Sequence, residues 1–243
     1  MNGATATTSE ELHASVEGRG FAFVEGTAMR DLLLPFGSLD DWAAFAASWE
    51  RLALDTYMAD GGRYRRRRHA TFSATGPVVT REAHQPHFQT VDYNPLNGGV
   101  ARWFEPIDEA IGAGPTMTAM LGFCRSLFSD LAPATKTWQI EVHQFRIEAR
   151  NGAEGRPTPE GLHRDGVDYV LVLLVDRRNI ASGVTGIHSL DGEALGQFTL
   201  TDALDSAIVN DHRVAHGVTA VEPLDPSLPA HRDVLVVTFK TGG

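Results

Sequence analysis

Cysteine is almost absent from this chain: there is one, Cys124, in 243 residues. A single thiol cannot close an intramolecular disulfide, which excludes a disulfide-stapled scaffold and fits a reducing cytoplasm. Lying near Leu121 and Phe123, Cys124 reads as a small buried hydrophobe rather than a reactive thiol. No apolar stretch approaches bilayer-spanning length, so no membrane helix is expected. Residues Met1 to Glu11 are small and polar and lack the charged start and apolar run of a secretory signal. Positive charge is in deficit: 21 Lys and Arg against 31 Asp and Glu give a formal net charge of -10. So acidic a chain repels phosphate backbones, and neither a nucleic-acid nor a membrane partner is expected. Internal repeats, low-complexity tracts and long linkers are missing. So is a Ser-His-Asp or Cys-His arrangement that would mark a nucleophilic enzyme.

The residues present divide into two stretches of different character. In the first, a helix start near Ser38 and Asp41 precedes Trp42, Phe45, Ala46 and Trp49 at helical spacing. A second helix is expected from Pro115, suited to a first turn, to Leu131. From Thr137 onward the pattern turns to strands: 137–150, 167–175, 184–189, 197–200, 207–209, 213–221 and 233–240. They are rich in Val, Ile and Leu and punctuated by turns such as Asp191-Gly192. Many short strands so punctuated predict a mainly β sandwich or barrel with the N-terminal helices packed on one outer face. One domain is expected over 1–243. Residues 1–136 would supply the mainly helical flank and first strands, and 137–241 the core with the site.

Chemistry concentrates in that core. Gly161-Leu162-His163-Arg164-Asp165-Gly166 stands at the mouth of a strong strand. Residues two apart in extended chain share a face, so His163 and Asp165 point the same way. Some fifty residues on, Asp211-His212-Arg213-Val214-Ala215-His216-Gly217-Val218 offers a third ligand, His212 or His216, which lie on one strand face. Two histidines and a carboxylate form the facial triad of non-haem iron(II) oxygenases, with three positions left open, and the lack of thiol ligands argues against structural zinc. Arg232, in His231-Arg232-Asp233-Val234-Leu235-Val236-Val237, is an arginine among apolar strand residues and needs an anionic partner. A dicarboxylate would supply one through a two-bond fork.

These segments, with Val142-His143-Gln144-Phe145-Arg146 and, further upstream, 63–72 and Asn94-Pro95-Leu96-Asn97-Gly98-Gly99, resemble the bacterial 2-oxoglutarate/iron(II) dioxygenases that hydroxylate free L-amino acids. The resemblance covers most of the chain beyond its first few dozen residues. It implies a double-stranded β-helix (jelly-roll, cupin-like) core. It implies Fe(II) held by His163, Asp165 and His216, rather than His212, and Arg232 anchoring the distal carboxylate of 2-oxoglutarate. It further implies O2 as oxidant, with succinate and CO2 released and a free L-amino acid hydroxylated at a carbon beyond the α position. The alternatives are a metal-dependent cupin-like isomerase or hydrolase, and a small-molecule-binding jelly roll without turnover.

Substrate-binding candidates are Gln144 and Arg146, which share a strand face, an arginine from Arg65 to Arg68, and Asp168 or an acidic loop residue for an ammonium group. The run 63–69 is expected to be an exposed strand pairing with the protein's own carboxylates, and alternation would turn some of its arginines inward. His84 and His87 lie in a Gln/Pro-rich loop suited to a lid. Oligomeric state is not legible.

Overall fold

The computed structural model describes residues 5–94, 96 and 98–242; Pro95 and Asn97 of the Asn94–Gly99 motif, and Met1 to Ala4 of the polar start, lie outside the described residues. The helices are α1 (Ser9–Arg19), α2 (Gly26–Leu33), α3 (Trp42–Ala47), α4 (Glu109–Gly112) and α5 (Pro115–Leu131). The strands are β1 (Phe21–Val24), β2 (Ala53–Leu54), β3 (Arg65–Thr75), β4 (Val78–Arg81), β5 (Thr137–Ala149), β6 (Tyr169–Arg178), β7 (Ile180–Ser182), β8 (Val184–Ser189), β9 (Ala194–Thr199), β10 (Ser206–Asn210), β11 (Val214–Val218), β12 (Val221–Pro223) and β13 (Ala230–Thr241).

Strand alternation sorts the molecule into layers. One antiparallel sheet runs in the order β1-β10-β6-β13-β5-β3-β2, with β4 paired to β3. On its outer face, Ile140, Val142, Leu235, Val237 and Phe239 pack with Leu12, Val16, Phe45, Trp49, Met117 and Phe128 of the helical layer. The inner face meets a small sheet of order β11-β8-β9, with Phe21, Val170 and Val209 packing on Ile187 and Val214. This is the expected mainly β core with helices on one side, and the main sheet draws strands from both halves of the chain. The cavity lies between the layers on the inner face.

Several boundaries differ from expectation. The helix expected near Ser38 and Asp41 is α3, which starts at Trp42 with Asp41 at its N-cap position, but the Asp41 side chain caps α5 instead. Its carboxylate accepts from the backbone N–H and hydroxyl of Thr116, at 2.9 and 2.5 Å. The predicted strand 213–221 is two, β11 and β12, which pair with β8 and β7 respectively. Residues 65–75, expected as an exposed strand, form an interior strand paired to β5 along its length. Arg65, Arg67 and His69 are therefore buried, while Arg66 and Arg68 pair with Glu148 and Asp108 on the other face. Cys124 is buried on α5.

Candidate active site

The loop before β6 and strand β11 are joined by backbone. The N–H of His163 donates to the carbonyl of His216, and the N–H of His216 to that of His163, each at 2.9 Å. That reciprocal pair puts the two rings side by side, with centroids 4.6 Å apart. Asp165 completes the group: Oδ1 lies 3.7 Å from His163 Nε2 and Oδ2 lies 3.6 Å from His216 Nε2. The loop is held in shape by Asp211, whose buried carboxylate accepts from the backbone N–H groups of Asp165, Gly166 and Val167 at 2.8–3.2 Å. Gly166 sits at φ +78°, and a Cβ there would fall 2.6 Å from the Tyr93 ring, so both conformation and space call for glycine.

The donor set fits a divalent cation. Ligand atoms of His163, Asp165 and His216 lie within 4.8 Å of one another. The Nδ1 of His163 is 3.0 Å from the Gly161 carbonyl. A carbonyl only accepts, so Nδ1 carries a proton and Nε2 is the ligand atom facing Asp165. Burial opposes charge on every member, and the three divide it. The hydrogen bond and charge of His163, with the charge of His216, hold Asp165 well below the usual carboxylate range. Asp165 and Glu160 outweigh burial at His163 and push it up to about 9. Burial and the charge of His163 push His216 down to about 4. An arriving cation would take the place of the proton shared by His163 and Asp165, the usual coupling of metal binding to proton release.

Arg232 lines the same cavity. It is buried, and its Nε and Nη2 have no hydrogen-bond partner. Burial and the neighbouring charge of Arg177 push it down to about 10. A buried guanidinium with two free donors fits one end of a dicarboxylate.

The cavity is about 320 Å³, at the small end of ligand pockets. Facing residues across a pair of strands point to one side. Arg232 opposes Ile147 on β5, so the odd-numbered residues of β5, Glu141, His143 and Phe145, line the cavity with Arg65 and Arg67 of β3. Gln144 and Arg146 point to the helical face and do not reach it. Gln144 donates to Ser48 Oγ at 2.7 Å, and Arg146 forks onto Asp233 at 2.8 and 2.7 Å while also bonding Glu50. Asp168 is likewise off the cavity lining; it pairs with His212 Nε2 at 2.6 Å and accepts from the N–H of Thr241 at 2.5 Å. His212 is spent there, on the surface. His84 bonds the carbonyl of Phe104 outside the cavity, whereas His87 lines it.

Sequence reasoning missed a second cluster in the cavity wall: His69, His87, Glu141 and His143, with ligand-type atoms within 4.8 Å of one another. It also missed Arg102, which is buried and donates to Gln89 Oε1 at 3.0 Å; Gln89 in turn donates to the carbonyl of Asp165 at 3.3 Å. No local signal in the sequence could have found them, because which faces of β3 and β5 meet the cavity follows from their register against β13, and His87 and Arg102 reach it from a loop.

A jelly-roll sheet with a two-histidine, one-carboxylate cluster and a free arginine in one cavity is the architecture of a non-haem iron oxygenase. The chain belongs to the 2OG-Fe dioxygenase family, whose model matches residues 46–238. It is an enzyme of the class that uses Fe(II), 2-oxoglutarate and O2. Among similar proteins is the 3(1)-hydroxy-L-isoleucine 4-dioxygenase of Pantoea ananatis, 28% identical over 231 residues, covering 91% of this chain and 92% of the relative. The L-isoleucine-4-hydroxylase of Bacillus thuringiensis is 28% identical over 156 residues, 63% of this chain and 64% of that one. Among solved structures, a bsmA homolog from Methylobium petroleophilum PM1 superposes with a TM-score of 0.88 at 37% identity, covering 97% of this chain and 94% of that one. IDO from Bacillus thuringiensis, at 20% identity and TM-score 0.78, covers 97% and 100% and shares the fold. Among the described residues no helix is long and apolar enough to cross a membrane.

Proposed function

We propose that the chain, as one domain spanning 1–243 and working in the cytoplasm, hydroxylates a free L-amino acid at a carbon beyond the α position. His163, Asp165 and His216 hold Fe(II), and Arg232 holds the far carboxylate of 2-oxoglutarate. Bound iron supplies the activation of O2 that splits 2-oxoglutarate into succinate and CO2 and leaves one oxygen atom for the substrate carbon. The chain's own residues fix geometry and exclude water. Asp211 keeps the Asp165 loop in register, and the His163–His216 backbone pair sets the spacing of the two rings.

The observation that carries the substrate reading is a second set of cations in the same small cavity. Arg65, Arg67 and Arg102 line it, and Asp55 is the ion-pair partner of Arg65 and Arg67, at 2.8 and 3.7 Å. The Nε atoms of Arg67 and Arg102 are buried without a hydrogen-bond partner. With Arg232 given to 2-oxoglutarate, these guanidinium groups call for a second carboxylate, that of the substrate. Gln144, Arg146 and Asp168 are engaged by Ser48, Asp233 and His212 away from the cavity lining and do not serve that role. The similar proteins named for L-isoleucine and its hydroxy derivative support an aliphatic side chain.

The test is a screen of the twenty L-amino acids with Fe(II), ascorbate and 2-oxoglutarate, read as a mass gain of one oxygen alongside succinate. An uncharged, aliphatic amino acid is expected to gain oxygen. Activity confined to peptidyl or carrier-bound residues would contradict the reading.

A further inference from the structure

The His69–His87–Glu141–His143 cluster has the composition of a metal site, yet its hydrogen bonds give it a different chemistry. Arg67 Nη2 lies 2.7 Å from His143 Nδ1. A guanidinium only donates, so His143 Nδ1 accepts and the proton of this ring is on Nε2, the atom 3.5 Å from Glu141 Oε2. His87 Nδ1 is 2.7 Å from the same oxygen, with the ring donating to the carboxylate. His69 Nε2 stands 3.7 Å from Oε1. Two of the rings thus offer protons, not lone pairs, towards one carboxylate. Arg67 adds a positive charge at the rim. Both features oppose a second cation bound among the rings and favour an anionic Glu141 at their focus.

That carboxylate is not used up. An ionised carboxylate has about four acceptor positions, and only the His87 contact is at hydrogen-bond length. The Glu141 side chain keeps 27% exposure, while the His69, His87 and His143 side chains keep 1%, 8% and 5%. The rings hold it and the cavity sees it. An anion beside a guanidinium is complementary to a group carrying both charges on adjoining atoms.

We propose that Glu141 accepts the α-ammonium group of the substrate while Arg67 and Arg102 take its α-carboxylate, so that this end of the cavity reads the zwitterion of a free amino acid. The inference rests on the free-amino-acid reading and deepens it. It also explains where oxidation falls. With both charged groups of the α carbon engaged at this wall, the side chain is the part left to reach the iron ligands. The distance is short, because Arg102 is joined to Asp165 through the single side chain of Gln89. Glu160 is the rival acceptor: it lines the cavity and its Oε2 is buried without a partner, but it sits 3.5 Å from His163 and so belongs to the iron side.

The experiment compares the best substrate of the amino-acid screen with its analogue lacking the amino group but keeping carboxylate and side chain. The wild-type enzyme should prefer the amino acid in kcat/KM by about tenfold or more, the scale of one charge-assisted hydrogen bond. Glu141→Gln, equal in size, should erase most of that preference. It should raise KM for the amino acid and leave the analogue and the KM for 2-oxoglutarate unchanged; Glu141→Asp should recover part of the preference. Equal loss on both substrates would overturn the proposal, since Glu141 would then only shape the cavity. Loss of the preference in Glu160→Gln but not in Glu141→Gln would overturn it too. So would two Co(II) ions per wild-type chain in dialysis with one lost in Glu141→Gln. A wild-type enzyme that shows no preference refutes the proposal without any variant. If it oxygenates other small carboxylates but none of the twenty amino acids, the substrate reading itself falls and carries this inference with it.

Discussion

The two histidine–carboxylate clusters of the cavity are built from nearly the same residue types and are prepared for opposite tasks. At His163, Asp165 and His216, a backbone carbonyl holds one proton of His163 on Nδ1, so that Nε2, facing Asp165, is the atom a cation can take once the shared proton leaves. At His69, His87, Glu141 and His143, a guanidinium takes the lone pair of His143 Nδ1 and turns a proton inward. The first arrangement is ready for a cation, and the second keeps a carboxylate charged. Counting histidines and acids cannot tell them apart; the partner on the far ring nitrogen does.

The largest effect that would break this contrast is at the proposed iron ligands. His163→Ala, Asp165→Ala and His216→Ala should each abolish succinate formation in a folded protein, whereas His212→Ala, which loses only its surface contact with Asp168, should stay active. Loss of activity in His212→Ala with activity kept in His216→Ala would reverse the assignment.

Next comes the pair of arginines on neighbouring strands. Arg146→Met should lower stability by about 3 kcal/mol, measured by urea unfolding, because the buried Asp233 loses its two-bond guanidinium partner and keeps only His231 at 3.7 Å. Its KM for 2-oxoglutarate should not change. Arg232→Met should do the reverse, raising that KM about tenfold or more with little loss of stability, since its free donors have no protein partner to lose. A 2-oxoglutarate KM that responds to Arg146 and not to Arg232 would move the anchor to the other face of β5 and β13.

A smaller effect is expected at the loop that carries Asp165. Asp211→Asn keeps the shape but gives up the charge that three backbone N–H groups share. Each such bond contributes about 1 kcal/mol or somewhat more, so metal affinity should weaken measurably without being lost. Unchanged affinity would mean that the loop is set by the His163–His216 backbone pair alone.

His163, Asp165 and Arg232 stood out in the sequence because local rules single them out: i, i+2 spacing puts His163 and Asp165 on one face, and an arginine in an apolar strand demands an anion. The third candidate ligand, His216 rather than His212, came only from the family resemblance. The long helix α5 and the turn at Asp191-Gly192 were legible for the same reason. What was not legible depends on pairing between distant strands. Gln144 and Arg146 do share a face, but only the register of β5 against β13 says which face meets the cavity. Alternation along the run 65–68 implied that some arginines turn inward, but which ones, and how deeply, follows only from the pairing of β3 into the sheet interior, which buries Arg65 and Arg67. Glu141 emerges only when β3, β5 and the His87 loop are assembled.

The most direct measurement of the central contrast is anaerobic equilibrium dialysis with Co(II) as a stand-in for Fe(II), read by metal analysis and by the visible spectrum of the bound ion. One ion per chain is expected in the wild type and in Glu141→Gln, with histidine-ligated spectra that match, and none in Asp165→Ala. An ion retained by Asp165→Ala and lost from Glu141→Gln would contradict it, and would make the wall of β3 and β5 the metal centre.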